Sequence, residues 1–231
     1  MMSMPNSSQN FSDDELRRVQ AETGVDVYAL LDLLQRTPAE RLRIAMANAS
    51  NLDRLRTGAA DDTDGMTSTP GAFDPLAILE VLYRRKVQFV VIGGVAAYLL
   101  GSHAPSSNLD ICFASDPQNV RQLALALGEL HARATGFTSV EAEVVSEDAL
   151  RRGDFLNLRT DHGVLHCLSN PEGIEDFAHL RDQAECMEID GVEIFVASLA
   201  GLIRMKEASQ RVRDRYLLET LRSIQRLRRR T

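Results

Sequence analysis

The residues best suited to chemistry lie between Phe89 and Phe113, in FVVIGGVAAYLLGSHAPSSNLDICF. Gly93 and Gly94 follow an apolar run, Phe89-Val90-Val91-Ile92. Adjacent glycines let a backbone turn tightly and come close to a bulky ligand such as a phosphate chain. Asn108 and Asp110 open a second apolar run, and a spacing of two puts both side chains on one face of a strand. Ser106, in the polar loop before them, is placed to contact a phosphate or to cap the loop.

The histidines offer less. His162 and His166 are four apart, the spacing of a metal pair on a helix, but Gly163 lies between them and the stretch reads as a strand. His166 falls on the same face as Val164 and Leu168, as a satisfied polar residue of the sheet would. Ser102 and His103 are adjacent in sequence, which does not aim a base at a nucleophile, and no orienting acid is nearby.

The elements that must position these groups follow from pattern. Phe89 to Phe113 reads as strand, glycine turn, helix from Val95 to Leu100, stop at Gly101, polar loop, strand. Asp74-Pro75 and Asp116-Pro117 each supply an N-cap and a first-turn proline for the helices on either side. Val140 to Val145 predicts a strand. Phe155–Arg159 and Val164–Leu168 predict a hairpin, and a second is predicted around Asp190-Gly191. Ser198 caps a helix to about Ala208, and a last helix runs from about Val212 to Arg226. The order is roughly α-β-α-β-α-β-β-β-β-α-α. The fold class is therefore α/β (α+β), a mixed β-sheet with helices on one side.

Three helices are predicted ahead of this. Ser12-Asp13-Asp14-Glu15 is a capping box, Val25–Gln35 has an apolar side, and Thr37-Pro38-Ala39-Glu40 starts a helix to about Arg56. Leu42, Ala45, Met46, Ala49 and Leu52 form its stripe, which either packs on its own chain or docks a partner. The organisation expected is a disordered start (1–11), a helical region (12–56), a Gly/Asp/Thr-rich linker (57–73) and the main domain (74–231).

With 231 residues, 44% hydrophobic and 26% charged, composition is that of a globular chain. No apolar run approaches the roughly 20 residues that span a bilayer. The first residues have neither a basic start nor an apolar core, so they do not read as a signal peptide. Cys112, Cys167 and Cys186 are far apart and read as reduced core residues of a cytoplasmic protein. Net charge is −7. It is uneven: from Gly201 to Thr231 there are ten Lys or Arg against three Asp or Glu. The basic end is either a solvated helix face or a surface for RNA, a triphosphate or an acidic partner.

The strand, Gly93-Gly94, loop and Asn108-Leu109-Asp110 together resemble the nucleotidyltransferase superfamily of the polymerase-beta-like fold. They most resemble its minimal and AbiEii-type branch in toxin–antitoxin systems. The tail, VEIFVASLAGLIRMKEASQRVRDRYLLETL, is similar to the family's closing segment, with Lys206, Arg211 and Asp214 on its charged positions. The resemblance covers about residues 76 to 222. It implies transfer of a nucleoside monophosphate from a nucleoside triphosphate to a hydroxyl, assisted by Mg²⁺ on three carboxylates.

Carried onto this chain, the resemblance makes Gly93, Gly94, Ser106, Lys206 and Arg211 nucleotide contacts. Asn108 and Asp110 become metal-facing residues, and His166 stands at the third carboxylate position. Asn108 and His166 depart from the pattern, so one expected carboxylate of three remains. The resemblance thus implies a member with weak or lost transfer, or an enzyme with a reassigned site in which Asp161, Asp154 or Glu143 substitutes. The alternative is a non-catalytic scaffold that grips a protein partner such as a cognate antitoxin. RNA or protein is the acceptor class implied if the chain is active.

Overall fold

The computed structural model describes residues 11–57, 73–135, 145–153 and 155–229. The predicted linker lies outside these residues except at its ends, as does the predicted strand at 140–145 except for Val145.

The first three helices begin where their caps demand. Helix α1 (Asp13–Thr23) carries the Ser12/Glu15 capping box and ends at Gly24 in the left-handed conformation. Helix α2 (Val27–Gln35) starts two residues later than predicted, because the Asp26 carboxylate accepts from the amides of Tyr28 and Ala29. Helix α3 spans Pro38–Thr57, and Thr37 and Glu40 cap it reciprocally. Its stripe packs on this same chain: Leu42, Ala45 and Ala49 are buried, and α3 lies against later elements of the fold.

From Pro75 the chain runs α4 (Pro75–Arg84), β1 (Phe89–Ile92), α5 (Gly93–Leu99), β2 (Asn108–Phe113), α6 (Pro117–Glu129) and β3 (Arg133–Ala134). It continues with α7 (Glu147–Arg152), β4 (Phe155–Thr160), β5 (Gly163–Leu168), α8 (Phe177–Asp182), β6 (Glu185–Ile189) and β7 (Val192–Val196). It closes with α9 (Leu199–Ser209), a 3-10 turn at Val212–Asp214 and α10 (Arg215–Arg228). β3, α7 and α8 were not predicted; each is too short to leave a period in the sequence.

The seven strands form one mixed sheet in the order β3-β4-β5-β2-β1-β7-β6. β1 is antiparallel to β2 and parallel to β7, and β2 is parallel to β5. The α/β class and the mixed sheet are thus as expected. At the β6–β7 hairpin both turn residues, Asp190 and Gly191, have positive φ, the geometry a two-residue turn requires.

The N-terminal helices are tied to the rest. Arg41 is buried and donates to the carbonyls of Leu33 (2.7 Å), Leu34 (3.0 Å) and Leu99 (2.5 Å). It thereby satisfies carbonyls at the C-terminal ends of α2 and α5 with one guanidinium. Asn48 donates to the Tyr98 hydroxyl at 2.7 Å, and Arg43 pairs with Asp190 in the β6–β7 turn at 2.8 Å.

Two of the cysteines, Cys112 and Cys167, are in the core as expected, but Cys186 is exposed. It lies on β6, an edge strand whose alternation turns that position to solvent. No helix among the described residues is long and apolar enough to cross a membrane.

Candidate active site at the junction of β1, β2 and β5

β1 and β2 present the glycine turn and the carboxylate to each other. The register pairs Ile92 with Asp110, so the residue after Ile92 must pass beside the Asp110 side chain. Gly93 does so with φ +69°, and a Cβ there would collide with the Asp110 carboxylate. Gly94 is similarly close to Ser106: a Cβ would lie 2.5 Å from its hydroxyl oxygen. The two glycines form the first turn of α5 rather than a separate loop. Their missing side chains make room for Asp110 and Ser106. Ser106 is buried and its hydroxyl donates to the Asn108 carbonyl at 3.0 Å, which fixes the entry into β2.

Parallel pairing of β2 with β5 brings His166 beside Asp110. His166 Nδ1 lies 2.7 Å from Asp110 Oδ1, and both side chains are about one-fifth exposed. An ionised carboxylate can only accept, so Nδ1 carries the proton and donates it. Asn108 Nδ2 also lies 3.2 Å from the same Nδ1, which sets donor against donor. Turning the Asn108 amide by half a rotation puts its oxygen there instead, and Nδ1–H is then shared between two acceptors. Behind the site, burial and the Asp110 charge push the Cys167 thiol well up.

The structure therefore assembles Gly93, Gly94, Ser106, Asn108, Asp110 and His166. Lys206 pairs at 3.2 Å with Asp214, whose other oxygen accepts from Ser209 at 3.1 Å. Arg211 is exposed in the turn after α9. Asp161 pairs with His131 at 2.6 Å. The hydrogen bond from His131 holds its carboxyl below the usual range. Asp154 and Glu143 lie outside the described residues.

Two partners of the site were not singled out in the sequence. Asn157 of β4 stands opposite His166, and the Phe155 ring lies tilted against the His166 ring with centroids 5.2 Å apart. The signal was present, since both alternate with inward residues on a predicted strand. Their proximity to His166 depends on a hairpin register that turn length alone did not fix.

The donor set does not fit Mg²⁺, which needs near-octahedral oxygen ligation. Among the described residues it offers one carboxylate, already bound to an imidazole, and one amide oxygen. Among the described residues no three His, Cys, Asp or Glu side chains are grouped to hold a metal.

No family model and no curated protein matches the sequence. Among solved structures the chain is similar to the lincosamide antibiotic adenylyltransferase LnuA with lincomycin bound. That likeness has a TM-score of 0.47 at 16% identity, over 65% of this chain and 95% of that one. It is also similar to a Thermotoga maritima protein provisionally described as a nucleotidyltransferase, with a TM-score of 0.39 at 18% identity over 70% and 98%. A third is ANT(2'')-Ia in complex with adenylyl-2''-tobramycin, with a TM-score of 0.39 at 16% identity over 66% and 91%.

Proposed function

We propose that this chain is a nucleotidyltransferase-like protein resembling the AbiEii-type branch, in which metal-dependent transfer of a nucleoside monophosphate is weak or lost. The observation that carries this reading is the Asp110–His166 hydrogen bond of 2.7 Å. The remaining carboxylate is bound to an imidazole at the position where the resemblance expects another carboxylate. Altering groups that merely support metal ligands typically costs 10–100-fold, and here two of three ligand positions hold no carboxylate.

What the site does offer is a cluster of polar groups. It has the Nδ1–H of His166, the Asn108 amide and the Ser106 loop beside a glycine turn. Those groups suit binding more than transfer. A scaffold built on the α3 stripe is less well supported, because Leu42, Ala45 and Ala49 are already covered by this chain.

The test is calorimetric titration of ATP and CTP, with and without Mg²⁺, into the protein and an Asp110→Ala variant, followed by a labelled-nucleotide transfer screen. The expected result is no Mg²⁺-dependent gain in affinity and no label transferred. Mg²⁺-dependent binding that vanishes in Asp110→Ala, with transfer of label, would overturn the reading.

A further inference from the structure

The sheet is buried on both faces along β1 but not along β4. There Phe155, Asn157 and Arg159 are exposed, while the residues that alternate with them turn inward, Leu156 half-buried and Leu158 and Thr160 buried. The register places Arg133 opposite Arg159 and Asn157 opposite His166. These side chains therefore share the face that carries Asp110.

Two features of this face bring the chain no internal benefit. Arg133 and Arg159 are both exposed, and like charges directly opposite in an antiparallel pair are destabilising. Neither guanidinium makes a hydrogen bond or an ion pair with a described residue. Asp161, whose carboxyl feels the Arg133 charge, is already bound by His131. Phe155 is 54% exposed, with one side of its ring against His166. An open aromatic ring and two uncommitted guanidiniums on one strand face match the needs of an unstacked base and its phosphates. Phe155 and Arg159 are about 13 Å apart along the strand at the usual rise per residue.

We propose that this face binds a single-stranded RNA segment, with a base on Phe155 and phosphates on Arg133 and Arg159. Charge complementarity selects a polyanion, and the exposed ring selects one whose bases are free to stack, which a duplex does not provide. The assignment does not rest on nucleotidyl transfer: the face is the same whether or not Asp110 supports any reaction.

The experiment is fluorescence anisotropy on the full chain with a labelled uridine-rich single-stranded oligoribonucleotide, its duplex, and an oligoglutamate peptide. The variants are Arg133→Gln/Arg159→Gln, Phe155→Ala and, as a control on another basic surface, Arg226→Gln/Arg229→Gln on α10. All alter exposed side chains, and circular dichroism verifies their folding. The single strand is expected to bind better than the duplex, and Phe155→Ala to weaken it about tenfold. The paired arginine variant should flatten the slope of log affinity against log salt by about 1.4, for two phosphates on a single strand. Loss confined to the α10 variant, equal binding of the duplex, or binding of oligoglutamate but not RNA would each overturn the assignment.

Discussion

The Asp110 carboxylate occupies the space that any side chain at residue 93 would need. Gly93 is thus required twice, once for its φ of +69° and once for this close approach. Gly93→Ala should destabilise the fold by about 2–4 kcal/mol, part from the left-handed backbone and part from displacing Asp110. Asp110→Gly in the same chain removes the collision but leaves the backbone strain. Urea unfolding of the two single variants and the double is expected to show a favourable coupling of about 1–2 kcal/mol. Strict additivity would mean that the carboxylate is free to move aside.

Arg41 makes a second such dependence, between the N-terminal helices and α5. Its three carbonyl partners come from two helix ends, and burial lowers its pKa to about 10. Arg41→Met should cost about 3 kcal/mol, since buried carbonyls lose a charged donor. Arg41→Lys should recover only part of that, because one ammonium cannot span the same fork. Thermal melts of the three proteins check the ranking.

The sequence made the caps, the glycine turn and the order of the long elements legible, because each is written in a few adjacent residues. Ser12, Thr37, Asp74, Asp116 and Ser198 all begin the helices predicted from them. The convergence of Asn108, Asp110 and His166 came from the resemblance and then from strand register. What stayed hidden were facts of partnership. Lys206 looks like a free cation until Asp214 and Ser209 are seen around it. Cys186 looks like a core residue until β6 is seen to lie at the sheet edge. Local pattern gives an element's type, whereas these depend on which elements become neighbours.

The cysteines give a direct check on that last point. Burial pushes the Cys112 thiol up to about 12, and Cys167 higher. Only Cys186 is exposed, although desolvation and then the nearby Glu193 carboxylate raise its pKa too. At mildly alkaline pH a disulfide reagent should titrate one thiol in the native protein, slowly, and all three after denaturation. For the two buried thiols the folded pKa exceeds the unfolded one. Their contribution to stability is therefore complete below about pH 8.5 and is lost as pH rises above it. Native titration of more than one thiol would mean that the β2–β5 region opens.

His103 should govern part of the acid limb. Its Nε2 is 2.7 Å from the Tyr216 hydroxyl, its Nδ1 is buried without a partner among the described residues, and burial lowers its pKa. Below the unfolded value of about 6.5 the unfolded chain binds the proton more readily, so stability falls as pH falls. In His103→Gln, which can still bond Tyr216, the drop in Tm between neutral and mildly acid pH should be smaller than in the wild type. Parallel Tm curves for the two proteins would remove His103 from the account.

The strongest test of the site is to rebuild what the resemblance expects. Asn108→Asp with His166→Asp puts three carboxylates on neighbouring positions of β2 and β5, since the register pairs 110 with 166. Without a cation the three charges repel, and the imidazole that now bonds Asp110 is gone. The double variant should therefore melt several degrees below the wild type in chelator. Millimolar Mg²⁺ should restore most of that loss, because an ion that binds only the folded state stabilises it by mass action. In the wild type, Mg²⁺ should leave the melt unchanged, as one carboxylate and one amide make too poor an oxygen cage. A variant indifferent to Mg²⁺ would show that the strands hold these positions too far apart for a shared ion. A wild-type protein stabilised by Mg²⁺ would show that Asp110 recruits further ligands, and the reading of a neutralised site would fall.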